Sequence, residues 1–268
     1  MKVQAVGKSD VGSKRKINED KFLVAPELGL YIVADGMGGH KAGEVASGML
    51  VETMADYWRK VRSGNPPPFL MPFSDDLSEC GRHLLNSINL ANTVIHEAQK
   101  RPQYRRMGST VCAMLVDRDC LWAANVGDSA IYLLDHGRLI EISEEHSVTA
   151  EQRSMGLNNA LSSTSPFLKN VLTRVLGVKE SVNVHINPVR PEVGDLILMC
   201  SDGLTNYVPG ESIRAILNDA TVSNARKVDI FIEEAYRGGG GDNITVILLE
   251  VMKEGKWDNI KRRFRRKC

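Results

Sequence analysis

The 268-residue sequence predicts an α+β fold in which helices are layered on antiparallel sheets. Three observations carry this. Two long stretches in the first hundred residues repeat apolar side chains at the 3.6-residue helical period. From Ser109 onward the period changes, and β-branched and apolar runs are interrupted by Gly-Asp and His-Gly turn signals. The two helical stretches are neighbours in the chain, so strands and helices do not alternate as they would in a parallel sheet.

The elements follow in order. "GLYIVA" (29–34) reads as a fully buried strand, short, apolar and β-branched. Ala42, Val45, Ala46, Met49, Leu50, Met54, Tyr57, Trp58 and Val61 then mark one face of a helix. "SGNPPPFLMPF" (63–73) ends it, because proline cannot continue a helix. Leu77, Leu84, Ile88, Ala91, Ile95 and Ala98 mark a second helix, with Asp75 and Asp76 suited to its positive first turn. "STVCAMLVD" and "CLWAANVGDSAIYLLDHGRLIEI" read as antiparallel strands linked by hairpins. Residues 147–173 are polar, rich in Ser and Asn, and lack a clear period; a mobile surface segment is expected there. "DLILMC" is another buried strand, short helices are expected near 210–219 and 223–237, and "NITVILLEV" closes the sheet.

Composition narrows the function. With 34 basic and 33 acidic residues, the net charge of +1 gives no global pull toward nucleic acid. No apolar run reaches the length of a membrane span, and "MKVQAVGKSDVGSKRK" lacks the apolar middle of a secretory leader. The five cysteines are scattered and never form C-x-x-C, which suits reduced thiols and a cytoplasmic location and disfavours zinc. Trp58, Trp122 and Trp257 read as core or surface filler. The end of the chain, "KRRFRRKC" (261–268), holds six basic residues and no acid. A solvated end is the simpler reading, with docking to an acidic partner or anionic lipid as the alternative; Phe264 alone is too little for an anchor.

Acids recur beside predicted strand ends. "YIVA" runs into Asp35, followed by Gly36, Gly38 and Gly39. "LILMC" runs into Ser201-Asp202-Gly203, "LWAANV" into Gly127-Asp128, and Asp242 directly precedes the last strand. Glu19 and Asp20 precede "KFLVA". A single Asp-Gly is ordinarily a turn. Five such sites together are different, because converging carboxylates repel and are costly to desolvate unless a cation neutralises them. An oxygen-only set suits a hard divalent ion. Glycine beside the acid, as at Asp35, Asp128, Asp202 and Asp242, would let a backbone carbonyl turn inward and leave room for water.

These residues bring the chain to a known family. It resembles the PP2C-type (PPM) metal-dependent serine/threonine protein phosphatases, in their bacterial form. The matching motifs, in the family's order, are "RKINED" (15–20), "VADGMGGHKAGEVAS" (33–47), "GST" (108–110), "NVGDSAIYLL" (125–134), "EEHS" (144–147), "LTRVLG" (172–177), "MCSDGLTNYV" (199–208) and "GGGGDNITVILL" (240–249). The resemblance implies a four-layer αββα sandwich, two antiparallel sheets flanked by helix pairs. It implies one phosphatase domain over 1–252, with a flap over 147–173, and a basic tail over 253–268. It further implies a centre of two Mg²⁺ or Mn²⁺ ions. By this likeness Asp35 bridges both ions, Asp202 and Asp242 hold the first, and the Gly36 carbonyl binds the second with Asp20 and Glu19. Asp128 joins Asp202 at a third, weaker site. Arg15 binds the substrate phosphate. The implied substrates are phosphorylated proteins, with a serine/threonine kinase as the opposing enzyme, and a monomer is expected.

Two ions about 3.5–4 Å apart would acidify a bridging water and neutralise the phosphoryl oxygens. Arg15 would grip those oxygens with its two-pronged guanidinium, which lysine does not reproduce. No cysteine nucleophile is needed, and no C-x₅-R phosphate loop is present. Met37 stands where some family members have a proton-donating histidine; His40 is read as structural, and Arg174 as an ion-pair partner anchoring the flap. Three rival readings remain on the sequence. A nucleotide-binding module fits poorly, since "DGMGGHKAG" matches neither G-x-G-x-x-G nor a P-loop. A non-catalytic binding domain of the same fold would ordinarily have lost some of the acids. A hydrolase of small phosphorylated molecules would share the whole metal centre.

Overall fold

The computed structural model describes residues 1–38, 42–74, 76–118, 120–156 and 171–253. The readings placed on Asp75, His40, residues 157–170 and the tail from 254, with Trp257 and Phe264, lie outside the described residues.

Two antiparallel sheets stack face to face. One has the order β1 (Lys2–Asp10), β11 (Ile244–Met252), β10 (Leu196–Cys200), β7 (Ala130–Asp135), β8 (Arg138–Glu141). The other has the order β2 (Asp20–Ala25), β3 (Leu30–Met37), β5 (Val111–Asp117), β6 (Cys120–Val126), β9 (His185–Val189), with the short β4 (Gly108–Ser109) against the end of β3. Helices α1 (Ala42–Arg62) and α2 (Glu79–Ala98) cover the second sheet. A third helix, α3 (Val148–Ser154), follows β8. A short turn of helix, α4 (Asp202–Thr205), with α5 (Gly210–Asn218) and α6 (Asn224–Arg237), covers the first sheet.

Three apolar layers hold these four tiers together. Tyr31, Val33, Cys112 and Met114 of one sheet meet Ile131, Ile197, Met199, Ile247 and Leu249 of the other. The opposite faces of the same strands, Leu30, Ile32, Ala113 and Leu115, pack under Leu50, Trp58, Leu84 and Ile88 of α1 and α2. Leu196, Leu198, Val246 and Leu248 pack under Val228, Phe231 and Ile232 of α6. Central strands are therefore buried on both faces, which explains their unbroken apolar runs. Truncating one such leucine to alanine costs roughly 2–5 kcal/mol. The helix pair is also pinned by polar contacts: Tyr57 Oη lies 2.7 Å from His83 Nδ1, and Asn86 Nδ2 donates to Tyr57 Oη at 2.9 Å. Among the described residues no helix is long and apolar enough to cross a membrane, and Cys80, Cys112 and Cys200 are thiols.

Several expectations change in detail. The Gly127-Asp128 turn does not join a hairpin. Strand β6 pairs with β5 and β9, whereas β7 pairs with β10 and β8, so the turn carries the chain from one sheet to the other. The His136-Gly137 turn does join the β7–β8 hairpin, and both residues have positive φ, as a tight two-residue turn requires. Helix α2 begins at Glu79 with the Ser78 hydroxyl capping Gly81 N–H at 3.2 Å, so Asp76 lies before the helix. The start of the 147–173 segment is the helix α3, and its end runs beside residues 146–148: Val148 N–H donates to the Val171 carbonyl and Thr173 N–H to the His146 carbonyl, each at 2.9 Å.

Candidate active site

Five aspartates reach one edge of the sandwich from both sheets. Asp20 opens β2 and lies directly opposite Asp35 near the end of β3. Asp128 sits in the sheet-to-sheet crossing. Asp202 is the second residue after β10 and the first of α4, and Asp242 stands just before β11, the strand beside β10. Arg15, Glu19, Asp35, Asp128, Asp202 and Asp242 line one cleft of about 290 Å³, with Gly36 and Met37 in its wall. Asp20 lies beneath, only 2 % exposed.

Glycine serves this convergence by letting backbones touch. A side chain at Gly36 would run into the Gly43 carbonyl, and one at Gly203 into the Asn243 carbonyl. The first contact seats α1 against the end of β3; the second seats α4 against the start of β11. The expected clearing of space for water is therefore not what these two positions demand.

A shell of hydrogen bonds, mostly from neutral groups, fixes the acids. Asp20 Oδ2 accepts from Ser201 Oγ at 2.8 Å and from Thr245 Oγ1 at 2.7 Å. The backbone of Asp35 is clamped by Thr110, whose Oγ1 accepts from Asp35 N–H at 3.0 Å while Thr110 N–H donates to the Asp35 carbonyl at 2.8 Å. Asn206 Nδ2 donates to Asp202 Oδ2 at 3.0 Å. Asp242 Oδ2 takes a 2.8 Å hydrogen bond from Arg15 Nη2. Asn243 ties three segments: its Oδ1 accepts from Glu19 N–H at 2.8 Å, and its Nδ2 donates to the carbonyls of Val11 (2.9 Å) and Ile17 (3.0 Å). The Glu19 carboxylate receives Gly43 N–H at the start of α1, at 3.2 Å. Thr110, Ser201, Thr245, Asn206 and Asn243 were not singled out by the sequence reading. The motifs "GST", "CSDGLTN" and "GDNIT" contain them all, but without coordinates nothing distinguishes a clamp from a turn residue.

The electrostatics are strained. Burial, then repulsion from Asp20, Asp202, Asp128 and Asp242, holds the Asp35 carboxyl well above the usual carboxylate range. Burial pushes Asp20 up to about 7 against the pull of the Thr245 and Ser201 hydrogen bonds. Burial and Asp202 push Asp128 up to about 7. Burial and Asp242 raise Asp202, and burial raises Glu19. Burial alone would lower the Arg15 guanidinium, but the hydrogen bond to Asp242 reverses this and raises it.

A cation would relieve this strain, and the donor set fits one. Asp20 Oδ1 and Asp202 Oδ1 are buried with no hydrogen-bond partner, an arrangement that costs free energy unless something else binds there. The anionic groups lining the cleft are all carboxylates, with no His or Cys among the lining residues, which favours hard divalent ions over zinc. Among the described residues no three of these side chains already close into a ligand cage. Asp242 takes its hydrogen bond from Arg15 and Asp202 from Asn206.

His146 was also overlooked as a support. It is 1 % exposed, and its Nδ1 accepts from Gly127 N–H at 3.1 Å, so it fixes the turn that carries Asp128. Burial, and next the Arg174 charge, pushes its pKa down to about 4. Arg174 is in an ion pair, though with a residue before the 147–173 segment: Nη2 lies 3.5 Å from Glu144 Oε1, and Nη1 lies 2.9 Å from His146 Nε2.

Comparisons with known proteins agree with this geometry. The protein phosphatase 2C family profile matches residues 7–232. The serine/threonine phosphatase stp of Listeria welshimeri serovar 6b is 34% identical over 254 residues, covering 93% of this chain and 97% of that protein. The S. agalactiae serine/threonine phosphatase superposes with a TM-score of 0.80 at 31% identity, covering 93% of this chain and 99% of that one. The catalytic domain of the serine/threonine protein phosphatase PstP, solved in complex with two manganese ions, gives a TM-score of 0.74 at 29% identity, covering 94% of this chain and 99% of that one. With the profile spanning most of its length and the acids converging as they do, the chain belongs to the protein phosphatase 2C family.

Proposed function

We propose that the protein removes phosphate from phosphoserine and phosphothreonine side chains of proteins, with two Mg²⁺ or Mn²⁺ ions held in the acidic cleft, and that it opposes a serine/threonine kinase. In this reading Asp35 would serve both ions, Asp202 and Asp242 would hold the first, and Gly36, Asp20 and Glu19 would hold the second. Asp128, with Asp202, offers a third and weaker position. When bound, such ions acidify water at neutral pH and neutralise charge on the phosphoryl oxygens.

The chain's own residues do the rest. The Arg15 fork is half exposed at the cleft rim, where it can exchange part of its contact with Asp242 for the oxygens of an incoming phosphate. Thr110 and Asn243 keep the acid-bearing backbones from relaxing apart under mutual repulsion. Met37 lines the cleft and has no proton to donate, so it does not serve as the acid for the leaving hydroxyl of the substrate.

The observation that carries this reading is the pair of buried, partnerless carboxylate oxygens on Asp20 and Asp202 in a cleft of raised carboxyl pKa values. Phosphate release from a phosphothreonine peptide, measured with Mn²⁺ and with excess EDTA, tests it. Turnover that needs the ion is expected; equal turnover under both conditions would overturn the metal mechanism.

A further inference from the structure

We propose that a second cavity beside the catalytic cleft binds an apolar side chain flanking the phosphorylated residue of a protein substrate. This rests on the phosphatase reading above and adds a substrate preference to it.

The cavity is about 580 Å³ and is lined by Met37, Val171, Leu172, Thr173, Val178 and Val182, among others. Met37 and Leu172 line the catalytic cleft as well, so the two spaces adjoin. Three apolar side chains in its wall stand unusually open to solvent: Met37 is 39% exposed, Val171 42% and Val178 51%. Such residues are ordinarily buried, and their gathering beside a catalytic cleft marks a binding surface.

Two polar features point to a peptide as the occupant. Thr173 Oγ1 is buried and has no hydrogen-bond partner. Leu172 faces Ser147 in an antiparallel bridge whose hydrogen bonds run through the flanking residues, Val148 to Val171 and Thr173 to His146. Leu172 is therefore a non-hydrogen-bonded member of that pair, and its N–H and C=O point away from residues 146–148. An extended segment laid along this edge would find backbone partners at Leu172 and apolar contacts at Val171 and Val178, the pattern by which sheet edges bind peptides. Because the two spaces share Met37 and Leu172, a residue contacting the cavity would lie close in sequence to the phosphorylated residue in the cleft. Glu151, Lys179 and Arg174 also line the cavity. Arg174 is already paired with Glu144, and Glu151 and Lys179 are of opposite charge, so the apolar contacts rather than a net charge would set the preference.

The test uses the full chain with Mn²⁺ and a set of phosphothreonine peptides. Leu or Asp is placed singly at each of the three positions on either side of the phosphoresidue. Hydrolysis of para-nitrophenyl phosphate serves as the internal reference. At one position Leu is expected to exceed Asp in kcat/KM by about ten-fold, the discrimination one buried apolar group provides. Val178→Asp and Val171→Asp should each collapse that ratio toward one, and Val178→Leu should keep it. A Leu-to-Asp ratio near one everywhere in the wild type, or a ratio that survives both Asp substitutions, overturns the proposal. So does a loss that falls equally on both peptides. If Val178→Asp instead alters only the sedimentation of the protein, the cavity is a contact between two copies and the proposal fails. Failure of the wild type to hydrolyse any peptide, or the reference ester, would instead strike the phosphatase reading itself.

Discussion

Asp20 and Asp35 face each other across the β2–β3 ladder, two carboxylates in direct register on neighbouring strands. Like charges so placed destabilise a sheet. Here they also share a pocket with Asp202, which adds to the repulsion on both. The fold carries this local cost because three apolar layers stabilise the strands behind it.

Removing one of these charges should therefore uncouple stability from turnover. Asp35→Asn is expected to leave the metal-free protein as stable as the wild type or more so, read as its urea midpoint in EDTA. Turnover with Mn²⁺ should fall by at least about 100-fold, the upper end of what losing even an outer partner of a metal ligand costs. A variant that keeps near-normal turnover would remove Asp35 from the bridging position.

The same charges set a pH dependence. Asp20 and Asp128 rise from 3.8 in the unfolded chain to about 7 in the fold. Between those values the folded state holds protons that the unfolded chain has released, so stability falls as pH rises. Their contribution is complete below about pH 4 and lost above about 7. His146 acts in the opposite sense: its pKa falls from 6.5 to about 4, so its contribution is lost as pH drops through that range. Urea titrations in EDTA across pH 5 to 8 should give a flatter profile for Asp128→Asn than for the wild type. Identical slopes would mean that Asp128 does not hold its proton in the fold.

How far the sequence anticipated this structure depended on burial. Strands β3, β10 and β11 are covered on both faces, so their apolar runs stood out. Strand β1 is an edge strand with half-exposed positions throughout, and its polar sequence "KVQAVGKSD" gave no such signal. Strand β9 is the edge of the other sheet and contains Pro188, which a central strand would not tolerate. At the site, the acids were legible because unpaired carboxylates beside strands are unusual. Ser201, Thr245 and Asn243 were not, because a buried hydroxyl or amide is recognised only by what it touches.

The backbone contact at Gly203 yields a stability prediction with an internal control. A methyl there would overlap the Asn243 carbonyl, and neither side is a flexible chain end that could swing away. Gly203→Ala should destabilise the protein by about 2 kcal/mol or more, as overpacking does. Gly210, at the start of α5, has nothing within 4 Å of an added methyl. Gly210→Ala should be neutral or slightly stabilising. Equal urea midpoints for the two variants would show that α4 and β11 can part without cost.

Arg15 separates substrate binding from structure. Its bond to Asp242 spans only 2.8 Å, but the two side chains are 48% and 29% exposed. Ion pairs open to solvent contribute about 0–1 kcal/mol, because water screens them and ordering long side chains costs entropy. Arg15→Ala should therefore leave the urea midpoint almost unchanged. Its effect should appear with substrate, where two parallel N–H···O bonds to a phosphate are lost: KM for a phosphothreonine peptide is expected to rise by roughly ten-fold or more. Arg15→Lys keeps the charge but not the fork, so it should recover only part of that loss. A lysine variant with wild-type KM would mean that charge alone suffices, and an alanine variant with wild-type KM would take Arg15 out of phosphate binding.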